Sequence, residues 1–123
     1  MLEVIKIFDI TILDIQKAKI MWNIDISNFK HVIDIDGINH VMSRHGVKSK
    51  EARVNVIKEN DIGLIENIIN SADELVSGGL SGTRKLPTLM YIKNINSYKY
   101  YYVVEILKNK KQLRIKTFFK NKV

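Results

Sequence analysis

Two histidines and an arginine lie close together in the segment His40–Gly46. Histidine is the side chain best suited to exchange protons near neutral pH, and a nearby arginine can neutralise the charge that develops on a phosphorane. In a helix, His40 and Arg44 lie on the same side, and His45 lies about 100° further round, on the apolar face. Such a group suits acid–base cleavage of a phosphodiester.

The same histidines raise the question of a metal site. Helical His pairs bind zinc, but the metalloprotease pattern needs a spacing of four with an intervening Glu. His40 and His45 are five residues apart with no Glu between them, and no spacing requires His31 as a third ligand. We therefore expect neither a metal nor another cofactor. Each histidine alone also suits a structural role, His45 at a helix end and His40 on a solvated surface.

The last predicted strand supplies further cations. Because alternate side chains of an ideal strand face opposite sides, one face is predicted to carry Arg114, Lys116, Phe118 and Lys120, and the other Leu113, Ile115, Thr117 and Phe119. Cations beside tyrosines suit RNA, whose bases stack on aromatic rings, although strand propensity and core filling also explain tyrosines. The candidate substrate-binding residues are Arg114, Lys116, Tyr91 and Tyr100.

The chain is basic, and the excess of positive charge is confined to its C-terminal end. The formal net charge is +7, and residues 108–123 hold seven Lys or Arg and no acidic residue. Such a localised excess favours a polyanionic partner, either nucleic acid or an anionic membrane surface. A lysine-rich strand edge that keeps the protein soluble gives the same pattern. Among these we expect RNA as the partner, and no membrane.

Length and composition limit the class of protein. With 123 residues, 46% hydrophobic and 27% charged, the chain suits one globular domain, 1–123. No apolar run approaches the roughly 18 to 20 residues of a membrane span, and we expect no signal peptide because Glu3, Lys6 and Asp9 interrupt the first apolar residues. The absence of cysteine excludes disulfides, thiolate metal sites and cysteine nucleophiles.

The periodicity predicts helices first and strands last. We expect a strand over Leu2–Phe8, a helix over Asp9–Met21, a short extended pair over Ile24–Ile35, a helix from the N-cap Asp36 to Gly46, and a helix capped by Asn60 or Asp61. Glycines 78, 79 and 82 predict a loop. A meander of strands follows, over Thr88–Ile95, Lys99–Leu107 and Gln112–Lys120. This order predicts an α+β domain with N-terminal helices packed on a C-terminal antiparallel β-sheet.

Five segments, in this order and spacing, carry a resemblance over most of the chain: Ile35–Gly46, Asn60–Ile65, Ile69–Leu75, Tyr102–Glu105 and Lys116–Lys120. With them the chain resembles the phage-associated and polymorphic-toxin members of the barnase/EndoU/colicin/RelE-like (BECR) nuclease superfamily. The resemblance implies a compact sheet with N-terminal helices. It also implies a metal-independent endoribonuclease, in which the 2′-hydroxyl attacks its own phosphate to leave a 2′,3′-cyclic phosphate.

The resemblance further implies roles for individual residues. His40 and His45 match the helix histidines of the family as acid and base, in an order that stays open, and His45 is expected to meet the terminal strand. Arg44 and Lys120 are implied to bind the phosphate, and Thr117 to position it by hydrogen bonding. Thr117 and Lys120 are three residues apart, so their side chains face opposite sides of an ideal strand. Both can line one site only if a bulge or the end of the strand intervenes.

The resemblance also bears on partners and location. It implies RNA as substrate, with tRNA as one candidate, and an acidic immunity or inhibitor protein as a second partner. The domain would act in the cytoplasm, delivered there as part of a larger secreted or phage protein. Two alternatives stay open, a non-catalytic RNA-binding module and a protein-interaction module.

Overall fold

One six-stranded sheet organises the fold. The computed structural model describes residues 3–123. Its strands are β1 (Val4–Asp9), β2 (Lys30–Asp34), β3 (Glu74–Ser81), β4 (Leu86–Ile95), β5 (Tyr98–Leu107) and β6 (Gln112–Lys122), in the spatial order β1-β2-β6-β5-β4-β3. All neighbouring strands are antiparallel except β2 and β6, which run parallel over three residue pairs. The predicted α+β class and the C-terminal meander are confirmed.

Four α-helices precede the meander in the part of the chain that the structure describes. They are α1 (Ile12–Trp22), α2 (Ile35–His45), α3 (Glu59–Ile62) and α4 (Ile65–Ser71), and a single 3₁₀ turn spans Arg53–Asn55. Within residues 3–123, none of the helices is long and apolar enough to cross a membrane. The single helix predicted from Asn60 or Asp61 is in fact two short helices, α3 and α4. The extended pair predicted over Ile24–Ile35 is also wrong in part, because only Lys30–Asp34 forms a strand there.

Helix α2 begins two residues earlier than the sequence predicts. Its N-cap is Asp34, whose Oδ1 accepts a hydrogen bond of 2.8 Å from the backbone N–H of Gly37. Since Asp34 is also the last residue of β2, the strand passes directly into the helix. Helix α2 then lies along the edge of β6, with Gly37 so close to Ile115 that a Cβ on Gly37 would clash with it.

The predicted glycine-rich loop is wrong in part, because Gly78 and Gly79 lie in β3 and only Gly82 lies in the turn that leads to β4. Glu74 to Ser77 pair with β4, the register shifts, and Leu80 and Ser81 pair with β4 again. In the irregular stretch between them, a Cβ on Gly78 would lie 2.5 Å from Oγ1 of Thr88. Glycine is needed at position 78 because the strand passes so close to its neighbour, which the sequence pattern alone does not distinguish from a turn.

The two faces of the sheet differ in what covers them. Residues paired on adjacent antiparallel strands point to the same side. One face, here called the covered face, packs under the helices and includes Tyr91, Tyr102 and Phe118, all fully buried. The opposite face, here called the open face, includes Glu105 and its partner Arg114.

A β-bulge in β6 changes which side chains share a face. Val103 pairs with Thr117 and Val104 with Ile115, which leaves Lys116 without a partner on β5. After the bulge the alternation is reversed, so that buried Phe118 and Lys120 lie on the covered face with Ile115. The prediction that Arg114, Lys116, Phe118 and Lys120 form one face is therefore wrong.

Candidate active site

A polar pocket of about 210 Å³ opens between α2 and the centre of the open face. Helix α2 and the strand that leads into it supply one wall, and β5 and β6 supply the floor. The pocket is lined by Asp34, Asp36, Gly37, His40, Glu105, Arg114, Ile115 and Lys116. It thus combines one imidazole, two cations and three carboxylates in a space of small-molecule scale.

Glu105 and Arg114 form an ion pair at the floor of this pocket. They are cross-strand partners, and Nη2 of Arg114 donates to Oε1 of Glu105 at 3.1 Å. Oγ of Ser81 donates to the other carboxylate oxygen at 2.9 Å, which ties β3 to β5. Asp34 adds a second carboxylate, with its Oδ2 4.0 Å from Nε of Arg114. The guanidinium is therefore fixed on one side, as binding of an anion at a defined position requires.

His40 is the imidazole that lines the pocket. Partial burial lowers its pKa below the ordinary value of 6.5, and the nearby positive charges of Lys116 and Arg44, with His45, lower the pKa further. Near neutral pH the side chain is therefore uncharged and can accept a proton. The charge of a bound phosphate would act in the opposite direction and stabilise the protonated imidazole.

His45 meets β6, but away from the pocket. Its Nδ1 lies 2.7 Å from Oε2 of Glu51, and its ring packs against Phe119 with the centroids 5.3 Å apart. Arg44 is exposed on α2, and its charge acts on His40. The structure therefore brings His40, and not His45, together with the cations of the terminal strand.

Thr117 and Lys120 are not in the pocket. Thr117 lies opposite Val103 at the bulge, next to Lys116 and outside the lining. Lys120 is buried on the covered face, where its Nζ donates to Oδ2 of Asp61 at 2.9 Å. In this structure Lys120 cannot contact a phosphate in the pocket, because the sheet separates the two.

Tyr91 and Tyr100 are also on the covered face. Both are buried, and their hydroxyls donate to carboxylates, Tyr91 to Asp14 at 2.6 Å and Tyr100 to Asp61 at 2.7 Å. Burial, followed by the hydrogen bond to Asp61, raises the pKa of the Tyr100 hydroxyl well above 10. Neither ring can stack on a base in this structure. Arg114 and Lys116 are thus the two candidate substrate-binding residues that reach the pocket.

Four polar side chains in or next to the pocket do not appear among the sequence-based candidates for the site: Glu105, Asp34, Asp36 and Ser81. Glu105 has the clearest signal, since it is a charged residue within the otherwise apolar stretch of β5 from Val103 to Leu107. A carboxylate placed there must find a partner, because an unpaired buried charge is costly.

Within residues 3–123, no three His, Asp or Glu side chains are arranged to hold a metal ion.

Comparison with known proteins gives one match. A family model described as phage-Barnase-EndoU-ColicinE5/D-RelE like nuclease3 matches residues 10–123. The match includes all the residues that line the pocket. Neither a search of curated proteins nor a search of solved structures finds a match.

Proposed function

We propose, since this chain belongs to the phage-Barnase-EndoU-ColicinE5/D-RelE like nuclease3 family, that it is an endoribonuclease that works without a metal ion. The observation that carries the proposal is the pocket in which the uncharged His40 lies with Arg114 and Lys116. A proton acceptor beside two cations suits attack by the 2′-hydroxyl of RNA on the adjacent phosphate. The products are a 2′,3′-cyclic phosphate and a free 5′-hydroxyl.

Each pocket residue has a distinct role in this proposal. His40 accepts the proton of the 2′-hydroxyl, whose oxygen then bonds to phosphorus. Arg114 and Lys116 stabilise the negative charge of the phosphorane. As the bond to the 5′-oxygen breaks, the Lys116 ammonium donates a proton to that oxygen. Glu105 is a positioning residue, since it holds the Arg114 guanidinium from the side that faces the sheet.

The proposal is tested by incubating the protein with total tRNA and rRNA in EDTA and analysing the fragment ends. We expect fragments that end in 2′,3′-cyclic phosphate, and loss of the cleavage in His40→Ala. Asn39→Ala is the matched control, because Asn39 is the exposed neighbour on the same helix. Undiminished cleavage by His40→Ala would overturn the assignment of the site.

Intact RNA over a wide pH range would instead favour the non-catalytic RNA-binding module. In that case RNA would still bind, and the affinity would fall steeply with salt, because phosphate contacts release counterions. Cleavage that stops in EDTA and resumes with added metal would contradict metal independence while leaving the nuclease activity itself intact.

The cations next to the pocket support the proposed partners. Arg84, Lys108 and Lys110 line a second pocket of about 270 Å³ that shares Arg114 with the first. A group of cations beside the pocket suits a folded RNA such as tRNA, and it also suits an acidic inhibitor protein that covers the site of a toxin acting in the cytoplasm. Replacing Lys108 and Lys110 by Ala should weaken tRNA binding and reduce its salt dependence.

A further inference from the structure

Three aromatic rings form a continuous array on the open face. Tyr101 and Phe119 stack with their centroids 4.8 Å apart and their planes at 15°, and Phe119 contacts His45 at 5.3 Å and 31°. All three side chains are partly exposed. We call Tyr101, Phe119 and His45 the aromatic platform.

The platform lies on the same face as the pocket, further along the same two strands. Tyr101 precedes Glu105 by four residues on β5, so both side chains lie on the same face of the sheet. At a rise of about 3.3 Å per residue, the two positions are roughly 13 Å apart along the strand. Phe119 pairs with Tyr101 on β6, beyond the bulge. A chain that enters the pocket and continues along these strands therefore passes over the platform.

The platform differs from the aromatic residues of the covered face. There Tyr91, Tyr100 and Tyr102 are buried, and they are explained by core packing. Tyr101 and Phe119 are instead only partly buried, although His45 of α2 packs against Phe119, so the array as a whole stays accessible to solvent. The ammonium of Lys99 lies 5.8 Å from the centroid of the Tyr101 ring and adds positive charge beside the array. Partly exposed rings next to cations are the combination that binds single-stranded nucleic acid.

We propose that the aromatic platform is a subsite that stacks a base of the nucleotides flanking the cleaved phosphate in single-stranded RNA. This inference rests on the proposed function, because it takes RNA to be the substrate of the pocket. Stacking on a π-face tolerates any base, so the subsite selects for an unpaired strand and not for a sequence. It follows that a longer substrate binds more tightly than one that carries only the cleaved step.

The test compares two substrates with the same cleaved step, a dinucleoside monophosphate and a longer oligoribonucleotide that extends on both sides. For wild type we expect a lower KM on the longer substrate. In Phe119→Ala, the KM on the longer substrate should rise roughly 5- to 100-fold, as the loss of one stacked base predicts. Cleavage of the dinucleoside monophosphate should stay unchanged, because it does not reach the platform.

Three further variants separate stacking from stability. Phe119→Leu keeps apolar packing but lacks a ring, and it should behave as Phe119→Ala does. Phe119→Tyr keeps the ring and should restore the lower KM. Tyr98→Ala is the matched control, because Tyr98 is a partly exposed aromatic residue of β5, the strand of Tyr101, but lies on the covered face. It should leave both substrates unaffected.

Binding of an oligonucleotide with a 2′-deoxy group at the cleaved step separates the two proposals, since this probe cannot be cut by 2′-hydroxyl attack. If wild type cleaves neither RNA substrate, the proposed function fails. If wild type cleaves both but Phe119→Ala binds the probe and the longer substrate as wild type does, the platform proposal is overturned and the nuclease proposal stands.

Discussion

Two clusters that each combine a histidine with one or more carboxylates lie on opposite faces of the same sheet. On the covered face, His31 and Asp14 are joined at 2.8 Å, and both are completely buried. On the open face, His40 borders a pocket together with Glu105 and Arg114. The residue types are similar, but only the second cluster is open to a substrate.

The covered cluster shows what such residues do when they are closed off. Tyr91 donates a hydrogen bond to Asp14, and Asp14 also closes the first turn of α1 through the backbone N–H of Thr11. Burial alone would raise the pKa of Asp14, but His31, with the Tyr91 and Thr11 donors, outweighs this effect and lowers the pKa. The cluster therefore joins α1, β2 and β4. Its contribution is to stability, whereas we propose that the open cluster contributes to chemistry.

The largest expected effect is on stability, in the covered cluster. Asp14→Ala removes one partner of a buried pair, which costs about 3 to 5 kcal/mol in comparable cases. We expect the free energy of unfolding, measured by chemical denaturation, to fall by that amount, and kcat of the remaining folded protein to be unchanged. Asp25→Ala, at an exposed carboxylate, is the control. If Asp14→Ala lowered kcat without lowering the free energy of unfolding, the proposed difference in role between the two faces would be contradicted.

In the open cluster, Arg114→Ala should mainly affect catalysis. Removing one group that stabilises developing negative charge typically lowers kcat by roughly 10²- to 10³-fold. Single-turnover cleavage of RNA measures this effect. Lys111→Ala, at an exposed cation in the turn before β6, should have little effect. Equal cleavage rates for the two variants would contradict the assignment of Arg114 to the catalytic site.

Acid should destabilise the protein through the covered face. For Asp14 and for Asp61, burial opposes ionisation, but hydrogen bonds from His31 and Lys120, respectively, lower the pKa below 3.8. A carboxyl group whose pKa is lowered by folding contributes stability above its unfolded value, and this contribution is lost as the pH falls through the folded value. We therefore expect the free energy of unfolding to decrease below about pH 3.8, and to decrease less steeply in Asp14→Ala. A pH-independent difference between the two proteins would contradict this.

The smallest effect should be a shift in the pKa of His40. After burial, the positive charges of Lys116 and Arg44 lower this pKa, so Arg44→Ala should raise it toward 6.5. Because His40 acts as a base in our proposal, kcat/KM should then begin to fall at a higher pH on acidification. An NMR titration of the His40 ring checks the shift, and Lys48→Ala, at an exposed cation beyond α2, is the control.

The order of the elements could be predicted from the sequence because it depends on local periodicity. The apolar alternation of the last three strands and the helical spacing around His40 each specify an element without reference to distant residues. Strand β3 could not be predicted, because its glycines indicate a turn and the need for Gly78 comes from Thr88 on another strand. The N-cap of α2 was predicted at Asp36 and lies at Asp34. Sequence alone does not distinguish the two, because an Asp at either position suits the role of N-cap.

The candidate site was predictable in part. His40, Arg114 and Lys116 follow from residue type, spacing and strand parity, whereas the loss of Lys120 from that group follows from the bulge at Lys116. A bulge of this kind is set by the pairing with β5 and has no glycine in this sequence to mark it. Glu105 was missed because its partner, Arg114, becomes evident only once the register of β5 and β6 is known.

The most direct test of the open-face site compares His40→Ala with His45→Ala in EDTA, on a dinucleoside monophosphate that does not reach the aromatic platform. We expect kcat to fall by roughly 10²- to 10⁴-fold in His40→Ala, as for the loss of a general base. In His45→Ala we expect kcat to stay close to that of wild type, because His45 pairs with Glu51 outside the pocket. A full loss of activity in His45→Ala with little change in His40→Ala would contradict the account.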